Sequence, residues 1–239
     1  MNILVLGASS SIGKSITKSF SKNNNLFLFS TKSDKLNELK SEALSLGSHI
    51  VNLIECDLSK PINVDEIIEE KIDMVINIAC SSSDLKDDSI DPNHHIYHTS
   101  VDLSNPLIIL RHLLDRKNND GDNSKLLYVF INTILSKIQS PDHSVYLSYK
   151  ILQQEYIHGF KRKYGDILKS INVIVGTQID RTKETQKTIK LAERIKLAIK
   201  NDESEFIFGF EGKIIYILYR ISPLFSDSLI YIKRFLFRR

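Results

Sequence analysis

Tyr146 and Lys150 stand four residues apart in Val145-Tyr146-Leu147-Ser148-Tyr149-Lys150. If this stretch is helical, the two side chains share one face a single turn apart, so the ammonium can sit beside the phenol. An ordinary phenol titrates near about 10 and is a poor proton donor at neutral pH; a neighbouring cation lowers that value by favouring the phenolate. Tyr149 is adjacent to Lys150 and projects to another side. In most proteins a tyrosine and lysine at this spacing are only structural. The pair gains chemistry from what the rest of the chain can hold.

The chain opens with apolar Ile3-Leu4-Val5-Leu6, followed by Gly7-Ala8-Ser9-Ser10-Ser11-Ile12-Gly13 and then apolar residues at helical spacing through Phe20. This order predicts strand, tight turn and helix. Glycine in such a turn lets backbone approach a pyrophosphate, and the helix that follows offers free N–H groups and the positive end of its dipole. A turn of this kind also serves as an ordinary strand-to-helix connection.

The elements that must position these groups alternate along the chain. Strands are expected near 2–6, 25–30, 49–55, 73–77, 126–132, 170–175 and 205–209, and helices near 12–21, 33–46, 63–69, 94–115, 144–163 and 183–200. Such alternation implies an α/β fold: a single-domain Rossmann architecture with a doubly wound parallel sheet of about seven strands. Ligands then bind at the carboxyl ends of the strands, where Gly7, Asp57, Asn77 and the region after 132 all fall. Ser81 to Pro92 and Lys117 to Ser124 read as surface loops.

With these positions in order, the chain resembles the short-chain dehydrogenase/reductase family from Met1 to about Gly176. The family's nucleotide turn, Thr-Gly-x-x-x-Gly-Ile-Gly, is matched by Gly7, Ile12 and Gly13, with Ser11 in place of the middle glycine and Ser9 and Ser10 between. Its Asp-Leu after the third strand appears as Asp57-Leu58, which the resemblance places at the adenine. Its Asn-Asn-Ala-Gly appears as Asn77-Ile78-Ala79-Cys80. The resemblance implies that Tyr146 protonates a carbonyl oxygen as hydride arrives and that Lys150 also holds the nicotinamide ribose. The family's substrate-binding serine aligns with Thr133, thirteen residues before Tyr146, with Ser136 as the alternative in another register. The family's relay asparagine aligns with Asp102, which would either pair with Lys150 or disturb the water relay. Gly176-Thr177 resembles a Pro-Gly turn without its proline and would flank the nicotinamide. The charged stretch near 178–200 would form a mobile substrate lid. Related enzymes pair through the helices that begin here near 94 and 144, which implies a homodimer or homotetramer.

Selectivity between nicotinamide cofactors is read at the end of the second strand, Leu28-Phe29-Ser30-Thr31-Lys32-Ser33. NAD selection normally places an acidic residue there for the ribose 2′-hydroxyl. None occurs before Asp34, whereas Thr31 and Lys32 offer a donor and a positive charge suited to a 2′-phosphate. NADPH is therefore expected over NADH. Lys32 also reads as a solvated lysine at a helix start.

At 239 residues and 42% hydrophobic, the chain can bury the core of one such domain, taken as residues 1–209. A net charge of +3 without a basic stripe argues against nucleic acid. Cys56 and Cys80 make no disulfide framework, and no signal sequence precedes the first strand, which implies a reducing cytoplasm. His94, His95 and His98 form the one histidine cluster; without an accompanying carboxylate or thiol pattern they read as a solvated helix start, and no metal is expected.

Residues 210–239 are different in kind. They combine apolar residues such as Ile214, Ile217, Ile221, Phe225, Ile230 and Phe235 with the cations Lys213, Arg220, Lys233, Arg234, Arg238 and Arg239, opposed only by Glu211 and Asp227. Pro223 and the charges interrupt any span of about 20 apolar residues, so two short amphipathic helices joined at Ser222-Pro223 are expected instead of a transmembrane helix. Such helices either lie in a bilayer interface or pack on the body or another subunit. The tail weakly resembles that of keto-sugar reductases of bacterial polysaccharide assembly, similar to the decaprenylphosphoryl 2-keto-ribose reductase. That resemblance implies a small-molecule or lipid-linked carbonyl substrate and a peripheral place at the inner face of the membrane. The competing expectations are a catalytically silent NADP-binding sensor or scaffold, and an extended-family epimerase or dehydratase, for which too little chain follows residue 176.

Overall fold

The computed structural model describes residues 1–31, 33–81, 92–138, 144–180 and 182–222. Lys32 and residues 223–239 lie outside this set, so the expectations for a 2′-phosphate contact at Lys32 and for a second tail helix are not addressed by it. The same holds for the loop expected after Ser81.

Five of the seven strands are short apolar runs buried on both faces, as a sheet covered by two helix layers requires. In chain order they are β1 (Asn2–Leu6), β2 (Asn25–Ser30), β3 (Ile50–Glu55), β4 (Met74–Asn77), β5 (Leu126–Thr133), β6 (Leu168–Val175) and β7 (Glu205–Phe208). All neighbours pair in parallel, in the order β3-β2-β1-β4-β5-β6-β7. The helices are α1 (Ser11–Ser19), α2 (Ser33–Ser45), α3 (Val64–Ile67), α4 (Pro92–Thr99), α5 (Asn105–Asn119), α6 (Leu135–Ile138), α7 (Ser144–Tyr164), α8 (Gln186–Lys200) and α9 (Phe210–Ile221).

Strand periodicity of two divides the core. Leu4 and Leu6 of β1 enter a cluster with Phe27, Leu110, Tyr128 and Ile157, beneath α5 and α7. Ile3 and Val5 enter the opposite cluster with Ile16, Leu36, Leu191 and Ile195, beneath α1, α2 and α8. The order reverses between β1 and β4, the position at which doubly wound sheets open a crevice for a ligand.

The helix expected over 94–115 is interrupted. A π-helical turn, Ser100–Ser104, separates α4 from α5 and carries Asp102 at its centre. π-Turns accommodate an extra residue and frequently mark functional positions. His98, read from the sequence as part of a solvated helix start, is buried, with its Nδ1 3.8 Å from Asp102 Oδ2.

The helix expected near 183–200 is present as α8, and the described residues between β6 and α8 are irregular. Gln186–Lys200 is a core helix that buries Leu191, Ala192, Ile195 and Ala198, and its N-terminus is closed by reciprocal hydrogen bonds between Thr185 and Thr188. Apolar residues at helical spacing lay among the charges of this segment, and their burial against α1 and the sheet outweighs its polar character.

Candidate active site

At the end of β1 the chain turns through Gly7, whose φ of +85° is open to glycine at little cost. A Cβ there would lie 3.0 Å from the backbone nitrogen of Ala79, so the glycine lets the turns after β1 and β4 approach each other. The turn is held by Ser10: its hydroxyl donates to the Gly7 carbonyl at 2.9 Å and accepts from the Gly13 N–H at 3.0 Å, capping α1. Gly13 is buried against the same turn, with its hypothetical Cβ 2.4 Å from Gly7 O and 2.7 Å from Ala8 O. Ile12 packs half-buried against the core.

Ser11, in place of the family's middle glycine, has a definite occupation. Its hydroxyl donates to the Asp180 carbonyl at 2.6 Å, tying the nucleotide turn to the segment between β6 and α8. Ser15 extends the seam, its hydroxyl lying 2.7 Å from Thr188 Oγ1 and 3.0 Å from Glu184 Oε1. Ser9 accepts from Ser30 Oγ at 2.7 Å, while Thr31 is exposed beyond the end of β2.

Asp57 follows β3 with its carboxylate held by Ser59, whose hydroxyl donates at 2.7 Å and whose N–H donates at 2.9 Å; these bonds hold its pKa below the ordinary carboxylate range. Leu58 is buried in the core. Asn77 ends β4: its amide nitrogen donates to Tyr128 Oη at 3.0 Å and its oxygen accepts the Ala79 N–H at 3.1 Å. Burial pushes the Tyr128 phenol well above its ordinary value, so this hydroxyl stays protonated.

Tyr146 and Lys150 lie on α7 as their spacing required. Tyr146 is half-buried, and Lys150, 3% exposed, places its Nζ 5.7 Å from the centroid of the Tyr146 ring. No carboxylate among the described residues forms an ion pair with Lys150. A buried cation in that situation offers its N–H groups to neutral acceptors such as ribose hydroxyls. Thr133 ends β5 half-buried, its Oγ1 accepting from the Leu135 N–H at 3.3 Å. Ser136 is buried and directs its hydroxyl to Asn132 Oδ1 at 3.0 Å and to the Thr133 carbonyl at 2.7 Å, fastening the β5–α6 turn. Gly176 and Thr177 follow β6, with the Gly176 N–H bonded to Phe208 O at 2.8 Å.

The π-turn supplies positioning contacts that local sequence patterns miss. Asp102 is fully buried and accepts from both the backbone N–H, at 3.0 Å, and the hydroxyl of Ser81, so it secures the chain just after β4. Three residues earlier, Thr99 donates to Tyr149 Oη at 2.9 Å on the helix that carries Lys150. Three residues later, Asn105 donates to the carbonyls of Leu58 and Lys60 at 2.7 and 2.9 Å. One rod of helix thus fastens the turn after β3, the turn after β4 and α7. Of the two expectations for Asp102, the contacts found are with Ser81 and His98. Thr99, Asn105 and Ser81 carried no signal in the sequence, since each contact joins distant segments.

The residues fit a dinucleotide. The glycine cradle and the capped N-terminus of α1 follow β1, beside the point where strand order reverses, and Asp57 follows β3 at the same end of the parallel sheet, while Lys150 on α7 is a buried cation with no carboxylate ion pair among the described residues.

Comparison with known proteins agrees on the architecture. The NAD dependent epimerase/dehydratase family matches residues 3–119, just under half of the chain and confined to the part before Tyr146 and Lys150. No curated protein sequence matches significantly. A 7beta-hydroxysteroid dehydrogenase structure superposes with a TM-score of 0.79 at 15% identity, over 97% of this chain and 95% of that one. The short-chain dehydrogenase from Sphingobium yanoikuyae, in complex with NADPH, gives 0.73 at 13% over 97% and 95%. The alcohol dehydrogenase from the archaeon Thermococcus sibiricus, complexed with 5-hydroxy-NADP, gives 0.71 at 19% over 87% and 95%. The class these likenesses define is that of the fold: a Rossmann protein whose architecture is shared with those dehydrogenases.

Proposed function

We propose that the protein is an NADPH-dependent carbonyl reductase in which Tyr146 is the general acid. The observation that carries this reading is the half-buried Tyr146 phenol one helical turn from a buried lysine with no carboxylate partner among the described residues. When bound, NADPH would supply the hydride that reduces the carbonyl carbon. Tyr146 gives its proton to the carbonyl oxygen, yielding an alcohol, and Lys150 stabilises the phenolate left behind. The Thr133 hydroxyl, at the end of β5, is the candidate donor that orients the substrate oxygen. NADPH is preferred to NADH because no acidic residue stands at the end of β2 to receive a 2′-hydroxyl.

The substrate we favour is the keto group of a sugar, carried on a lipid or a nucleotide; the apolar, basic tail supports this choice. A catalytically silent NADP-binding sensor is the second reading, and Asp102 favours it, because a carboxylate engaged with Ser81 stands where the family uses an asparagine relay. Calorimetric titration with NADPH and NADH, followed by NADPH oxidation against a panel of keto sugars, separates the two. Binding of NADPH with turnover supports the reductase; binding without turnover on any carbonyl favours the sensor, and no binding overturns both.

We further propose that two copies pair through α4, α5 and α7, whose outer faces expose Ile96, Tyr97, Ile108, Leu152 and Tyr156. Light scattering of the purified chain should give a dimer or tetramer, and Tyr156→Glu should shift it toward monomer. A wild-type monomer would remove this assembly.

A further inference from the structure

The helix after β7 turns its apolar residues outward. Phe210, Ile214, Ile217 and Ile221 of α9 are 77%, 43%, 56% and 76% exposed. At 3.6 residues per turn these four positions fall on a single line along the helix. The opposite face is the one in contact with the body: Gly212 is buried, and a Cβ on it would lie 2.3 Å from Gly176 Cα, so the helix is seated directly on the turn after β6. Lys213 and Arg220, seven residues apart, lie along one border of the apolar line, and Glu211 lies along the other. The sequence continuing from this helix adds Lys233, Arg234, Arg238 and Arg239 against Asp227 alone.

We infer that α9 is a docking helix for the surface of an anionic phospholipid bilayer, its line of Phe210, Ile214, Ile217 and Ile221 entering the interface and Lys213 and Arg220 meeting the head groups. Charge selects this occupant. A second copy of the chain would bring the same cations against themselves, whereas an anionic surface attracts them. Among the described residues no helix is long and apolar enough to cross a membrane, so the contact is one of lying in the interface. Since α9 begins at the carboxyl end of β7 and rests on Gly176, docking turns the ligand-binding end of the sheet toward the lipid. The inference does not depend on which reaction the site performs.

The test uses the full chain floated with vesicles of phosphatidylcholine alone, or with about a third of the lipid replaced by phosphatidylglycerol. Binding should be confined to the anionic vesicles and weaken in high salt. Ile217→Glu should lower partitioning by roughly tenfold or more, because a carboxylate replaces the apolar contact at the middle of the line. Lys213→Ala should lower it by about fivefold, the ordinary effect of one cation near an anionic surface. Both residues are solvent-exposed, so unchanged melting curves will show that the variants remain folded. Failure of the wild type to bind, equal binding by Ile217→Glu, or loss of a dimer in Ile217→Glu with no change in lipid binding would each overturn the proposal.

Discussion

Replacing Tyr146 by Phe should reduce turnover by about 10³-fold, roughly 4 kcal/mol of barrier, while leaving NADPH binding within a factor of a few. The phenol stands on α7 with the Lys150 ammonium 5.7 Å from its ring, and Phe keeps the ring while removing the proton to be transferred. The loss should therefore fall on kcat and little on the cofactor dissociation constant, since the proposed cofactor contacts are the glycine turn, Asp57 and Lys150. Steady-state kinetics with calorimetric titration of the same variant checks both halves. Retained turnover would remove Tyr146 from the chemistry and leave the fold and the cofactor site standing.

Gly13→Ala should be the most damaging single-methyl addition on the cofactor side. Its Cβ would lie 2.4 Å from the Gly7 carbonyl oxygen and 2.7 Å from that of Ala8, and both neighbours are backbone that cannot rotate away. Helix α1 would have to withdraw from the turn, weakening the Ser10 cap and spoiling the anion-binding geometry at its N-terminus. Overpacking of this kind costs about 3 kcal/mol. For a domain of this size that corresponds to roughly 6–12 °C in melting temperature. NADPH affinity should fall by at least about tenfold, since the N–H groups that face the pyrophosphate would move with the helix. Gly159→Ala is the matched control: it lies within α7 with nothing within 4 Å of the added carbon, so it should stabilise by about 0.5–1 kcal/mol and leave affinity unchanged. Melting and titration of both variants decide the matter; equal behaviour would show that the turn tolerates a side chain at position 13.

The contrast between these two glycines marks where local reading of the chain succeeds. Both strand periodicity and the glycine-serine turn are short-range patterns, and each is tied to one element. The Tyr146–Lys150 pair is of the same kind, because helical geometry alone brings residues four apart together. The same reasoning falls short at His98, whose polar neighbours suggested solvent but which packs against Asp102. At α8 the helix expected near 183–200 is present, with Leu191 and Ile195 in the core.

By itself, then, the order of residues determined a parallel α/β sheet, the position of its glycine-serine turn and the register of the tyrosine with the lysine, because each follows from backbone geometry over a few residues. Only the tertiary structure decided that Asp102 serves Ser81, that Ser11 is bonded to the Asp180 carbonyl, and that Gly212 lies against Gly176 so that the apolar line of α9 faces outward. Those outcomes depend on which buried donor meets which acceptor across distant segments. A buried polar group takes whichever partner the packed elements bring within about 3 Å, and that partner carries no mark in the local pattern.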